Sequence, residues 1–197
     1  SALQATHALR ESEAHFRILA EGSIQGILVH QHTKPLFVNK AFANILGYEL
    51  PDEILDMESV VPLIAPYEQE RLQSYHQARL KGADAPNHYE YDALCKDGSI
   101  ITLQNTVTMV NWTNEPAVLS VVIDVTERKN VEDVLRQYER VVEGSDDLVA
   151  AVDRNYNYRL ANETFLRYHC LNRDKVIGRF IAEVLGEETF NNLVKPM

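Results

Sequence analysis

Cysteine is scarce in this 197-residue chain: Cys95 and Cys170 are the only two, far apart and in unrelated contexts. They make no disulfide framework, and a reducing cytoplasm fits them best. No apolar run approaches the roughly 20 residues of a membrane-spanning helix, and no secretory leader pattern is present. An anchor upstream of Ser1 would still make this the cytoplasmic part of a membrane protein. Positive charge is also short, with 19 Lys and Arg against 29 Asp and Glu, a formal net charge of −10. That balance disfavours nucleic acid and direct contact with an anionic membrane as partners. Catalytic signatures are missing as well: no phosphate loop, no His-Glu-x-x-His and no nucleophile beside a base. This stretch is therefore expected not to be an enzyme. Enough is present for a packed core, since 45% of the residues are hydrophobic.

The isolated polar candidates are weak. His30-x-His32 puts two imidazoles on one face of a strand end, but no third ligand is near, so a solvated turn is favoured over zinc and no metal is expected. Glu90 and Asp92 alternate with Tyr89 and Tyr91. They read as solvent-facing or cross-strand partners rather than an acid and base couple.

Periodicity orders the rest. Residues 2–20 read as a helix, with Ala2, Ala5, Leu9, Phe16 and Leu19 at helical spacing and Gly22 ending it. Gly26–His30 and Leu36–Val38 read as a hairpin around a polar turn, and Asn39 as the N-cap of a helix stopped by Gly47. Pro51 to Pro66 reads as short turns, and Glu68 to Lys81 as a helix with Leu72, Tyr75, His76 and Leu80 on one face. Tyr89–Leu94 and Ile100–Val110 form strands around Asp97-Gly98, a strong hairpin signal. The loop Asn111–Pro116 leads to a last strand from Val118. Asp124 or Thr126 then caps a charged helix. Two strands, helices and three strands predict an α+β fold, a five-stranded antiparallel sheet with helices on one face.

Three separated motifs resemble the PAS-domain family. Val38, Asn39, Ala41, Phe42, Leu46, Gly47 and Tyr48 follow its opening pattern, Lys96-Asp97-Gly98-Ser99 joins two of its strands, and Asp124-Val125-Thr126 resembles the Asp-Ile-Thr signature that closes it. Glu127-Arg128-Lys129 matches the usual continuation. The resemblance covers about residues 13–128. It implies a sensory module of a bacterial signal-transduction protein, relaying a change through Asp124, Thr126 and Arg128 to a downstream effector in the same polypeptide. That effector, outside this stretch, would be a histidine kinase or a cyclic-di-GMP enzyme such as a diguanylate cyclase. Alternatives are a ligand-free dimerisation scaffold and, more remotely, a small-molecule enzyme.

The resemblance also lets cofactors be tested. The cysteine motif of the flavin photoadduct is absent, and the axial histidine position of the haem branch holds Arg71, with His76 one turn later; FAD or a small organic ligand remains open. Candidate pocket walls are Phe42, Ile45, Leu46, Leu72, Tyr75, His76, Tyr89, Tyr91, Asn105 and Met109. A core filled by its own side chains is the alternative.

The chain then repeats itself. Phe16 and Glu21-Gly22-Ser23 match Tyr138 and Glu143-Gly144-Ser145 at an offset of 122, and Asn39 and Phe42 match Asn162 and Phe165 at 123. Tandem domains follow. The expected division is a linker helix over 1–22, a first domain over 23–126, a signalling helix over 127–143 and the opening half of a second domain over 144–197. Asn162 should cap as Asn39 does. A half sheet buries too little to stand alone, so completion by a partner chain, rearrangement or contacts with the first domain is expected. Val149, Val152 and Leu160 would otherwise lie on an open edge. In the helix, Val131, Val134, Tyr138 and Val141 have the 3-4-3 spacing of a two-stranded seam, which predicts a homodimer.

Overall fold

A computed structural model describes residues 18–194. Most of the expected N-terminal helix lies outside them; Ile18–Glu21 is its helical end. The chain divides into two compact units, residues 1–129 and 130–197.

The first unit is an antiparallel sheet of five strands. They are β1 (Gly26–Gln31), β2 (Lys34–Val38), β3 (His88–Leu94), β4 (Ile100–Trp112) and β5 (Glu115–Asp124), in the order β2-β1-β5-β4-β3. The expected α+β architecture is what forms. Between β2 and β3 lie α1 (Lys40–Ile45), α2 (Pro51–Leu55) and α3 (Gln69–Leu80). Apolar residues at alternate strand positions turn to one face and meet these helices. Leu28, Tyr91, Ala93, Leu103 and Val122 pack there with Phe42, Leu46, Ile54 and Leu72. Gly26 is needed for this closeness: a Cβ on it would lie 2.6 Å from a Val122 methyl and 3.0 Å from the Phe42 Cα.

Two hairpins are tighter than their sequence suggests. β4 and β5 run on to Trp112 and Glu115, so the expected six-residue loop is a two-residue turn at Thr113-Asn114, with φ of 49° and 69°. His32-Thr33 joins β1 to β2 the same way, with φ of 47° and 72°. Two successive left-handed residues give the twist that a two-residue hairpin requires. His30 and His32 are consequently not a pair in a solvated turn: β1 continues through His30, and only His32 is in the turn.

The second unit opens with β6 (Ala150–Val152) and β7 (Tyr158–Ala161), a two-stranded sheet. α5 (Glu163–Tyr168), α6 (Ile181–Leu185) and α7 (Glu187–Val194) follow. Tyr158, Ala161, Phe165, Leu166, Val176 and Ile181 form its core, while β6 is exposed throughout. The helix α4 (Thr126–Glu143) begins in the first unit and ends in the second, and it buries none of its residues.

Each unit is built around one buried asparagine. The Asn39 side chain accepts from the Phe42 and Ile27 amides and donates to the carbonyls of Ala20 and Gln25. Asn162 accepts from Phe165 and Val149 and donates to Val142, Ser145 and Asp147. Glu21 accepts from the Lys40 amide as Glu143 does from Glu163. The sequence repeat is thus a repeated knot that ties the end of the preceding helix to a strand and the next helix. Every polar atom it buries is paired.

Candidate functional site

A cavity of about 210 Å³ lies in the first unit between the sheet, α3 and the segment around Val60–Ile64. Strand alternation supplies one wall: Leu28 and His30 from β1, Tyr89 and Tyr91 from β3, Asn105 from β4, Val118 and Ser120 from β5. On α3, Leu72, His76 and Arg79 fall at i, i+4 and i+7, a stripe that the helix turns inward. Phe42, Val60 and Leu63 close the apolar end.

Six of the ten residues picked from the sequence line this space: Phe42, Leu72, His76, Tyr89, Tyr91 and Asn105. The other four do not. Leu46 is fully buried in the core beside Ile45. Tyr75 packs edge-on against Tyr89, with ring centroids 5.3 Å apart, and stands behind the wall. Met109 shares the inward face of β4, but lies near its end and is exposed. Leu80, expected on the inner stripe of α3, is also exposed, and Arg79 takes that place.

Arg79 and His30 were missed because a cation on a helix and a histidine at a strand end both read as solvent-facing. Their register was a usable signal: Arg79 is two turns from Leu72, and His30 alternates with Leu28.

Polar atoms gather at one end. His30 and His76 have ring centroids 5.6 Å apart, and Arg79 lies over the Tyr89 ring at 5.6 Å. Burial, then the neighbouring His76 and Arg79, lower the His30 pKa to about 4. Burial, with His32 and Arg79, also lowers that of His76. Burial raises the Tyr89 and Tyr91 hydroxyls, so both are neutral donors and acceptors at pH 7. Three buried atoms have no hydrogen-bond partner among the described residues: His30 Nδ1, Arg79 Nε and Asn105 Oδ1. All three belong to this wall. Orphaned buried groups are rare because each costs about 1–3 kcal/mol.

The wall is joined to α4 through residue 90. Glu90 lies between Tyr89 and Tyr91 with its side chain on the other face of β3. Its carboxylate pairs with Arg128 at 2.9 Å and Lys129 at 2.5 Å, which, with Lys129 first, lower its pKa. Its carbonyl accepts from Arg71 of α3 at 3.0 Å. Asp124 accepts from the Thr126 amide and hydroxyl, at 2.9 and 2.5 Å. The Thr126 hydroxyl oxygen accepts from the Thr102 amide of β4, and Val125 donates to the Thr102 carbonyl, both at 2.9 Å. The three residues picked for this junction meet there with Glu90, Lys129 and Thr102, which sequence reasoning did not assign to it.

Among the described residues of α4, Val131, Val134, Tyr138 and Val141 are exposed, as is Leu135 beside them. Asp92, by contrast, is held locally by the Tyr67 and Thr102 hydroxyls, each at 2.8 Å. Among the described residues no three His, Cys, Asp or Glu side chains form a metal-holding group, and no helix is long and apolar enough to cross a membrane.

Comparison with known proteins gives two family matches: residues 35–123 match the PAS fold and residues 136–194 the PAS domain. The sensor histidine kinase TmoS of Ectopseudomonas mendocina is 32% identical over 141 residues, 70% of this chain and 14% of that protein. A methyl sulfide methyltransferase-associated sensor of Methanosarcina acetivorans is 26% identical over 132 residues, 66% of this chain and 13% of that protein. The chain thus spans only about one seventh of the length of these relatives. Among solved structures, a sensory box histidine kinase/response regulator of Burkholderia thailandensis superposes with a TM-score of 0.51 at 25% identity, covering 66% of this chain and 98% of that one.

Proposed function

Because this chain belongs to the PAS-domain family and two sensors are among its relatives, we propose that it is a sensory module that binds a small organic ligand in the first unit. Occupancy of the cavity shifts β3 and α3, and the Glu90 and Asp124–Thr126 contacts pass the shift to α4. α4 pairs with that of a second copy and sets the state of an effector further along the polypeptide, a histidine kinase or a cyclic-di-GMP enzyme. The observation that carries this reading is the single residue Glu90: its neighbours Tyr89 and Tyr91 wall the cavity, and its carboxylate holds the first turn of α4. The volume supports a ligand below the 300–1,000 Å³ class of drug-sized sites, which favours a small organic molecule over FAD.

The test is Glu90→Gln in the full-length protein, beside Asp124→Ala. Solvent-exposed ion pairs contribute at most about 1 kcal/mol, so the fold survives. The expected result is a variant that retains its ligand while its effector no longer responds. Unchanged regulation in both variants would sink the relay. The exposed stripe of α4 also suits a ligand-free dimerisation scaffold, in which the cavity stays empty and the helix alone matters.

A further inference from the structure

Resting on the reading of the cavity as a ligand site, we infer that its ligand is a small organic monocarboxylate, with the acid group at Arg79 and an apolar body against Leu28, Phe42, Leu63 and Leu72. Three observations converge on an anion. Arg79 Nε is buried and has no partner, although guanidinium donors pair so readily with carboxylates. Among the described residues no carboxylate pairs with Arg79, and none lines the cavity, in a chain with 29 acidic residues. Tyr89, His30 and His76 stand beside Arg79 and are uncharged at pH 7, so Arg79 is the one charged side chain among the lining residues.

The Arg79 guanidinium is already fixed: it donates to the Pro86 carbonyl and lies over Tyr89. Little side-chain freedom is then lost when a ligand arrives, which favours binding. Asn105 fits the same ligand. Its amide donates from Nδ2 to the Tyr89 hydroxyl at 3.2 Å and leaves Oδ1 alone. The amide turned by 180° lets the hydroxyl donate to Oδ1 and frees Nδ2–H as a second donor for the acid group.

Size sets the body. A cavity of about 150 Å³ admits benzene, so 210 Å³ holds a six-carbon body with one carboxylate. A dicarboxylate would press its second charge on the apolar end and is rejected.

The test is calorimetric titration of the purified protein with benzoate and with benzamide, which are near-isosteres differing in charge. Benzoate should bind at least tenfold more tightly. Arg79→Gln should abolish that preference while leaving benzamide affinity within about twofold, and Arg79→Lys should restore only part of it. The wild-type comparison stands even where a variant fails to fold. Equal binding of both probes, or benzamide alone, would overturn the anionic class and leave the cavity as a site for neutral ligands. Binding of neither, with no small molecule carried by protein isolated from cells, would overturn the class together with the ligand-site reading.

Discussion

His30 makes the protein sensitive to acid. Its folded pKa, about 4, lies below the unfolded value of 6.5. Between those values the unfolded chain takes up a proton that the folded one refuses. The contribution of this residue is therefore intact above pH 6.5 and lost as the pH falls toward 4. The loss by pH 5 is about 2 kcal/mol. The groups facing it are His76 and Arg79, and His76 titrates in the same direction. Urea unfolding at pH 8 and pH 5 should show this fall, and His30→Leu should flatten it; an equal fall in both proteins would contradict the assignment. Asn39 gives a second prediction. Asn39→Asp keeps the acceptor but turns a carboxylate oxygen toward the carbonyls of Ala20 and Gln25. It should cost about 3 kcal/mol at pH 7 and less at pH 4, where protonation restores a donor. A change under about 0.5 kcal/mol, the size of an ordinary surface substitution, would show that the knot does not hold. Asn39 was legible as a cap because it precedes a helical pattern. Its amide's second task was not, since two distant carbonyls become neighbours only after folding.

Elements were read unevenly, for reasons visible in particular residues. Asp97-Gly98 announces its hairpin because glycine takes φ of 86° there without strain. His32-Thr33 and Thr113-Asn114 each put a β-branched threonine in the left-handed region, which it seldom adopts, so local pattern could not place those turns; the strands pairing around them impose the geometry. The apolar stripe on α4 was legible because helical spacing alone defines it. Leu135 escaped notice since it falls outside the 3-4-3 pattern. The stripe is exposed and carries little of the chain's own packing. Val134→Asp together with Tyr138→Asp should therefore yield a monomer by light scattering with unchanged helical circular dichroism. A persistent dimer would place the contact elsewhere, and a wild-type monomer would remove the seam from the account.

For the whole molecule, the repeat, the sheet and the junction at Asp124–Thr126 were all in the sequence, because each rests on short motifs at fixed spacing. The chemistry of the cavity was not, because it depends on which polar side chains tertiary packing turns inward. The central claim is that this module carries a small ligand and acts as a pair. Native mass spectrometry of freshly isolated protein, set against its denatured mass, tests both halves together. The predicted particle holds two chains of 22.4 kDa, each with one small organic acid whose mass disappears on denaturation. Two bare chains would contradict ligand binding and favour the scaffold, and a bare single chain would contradict the account at both points.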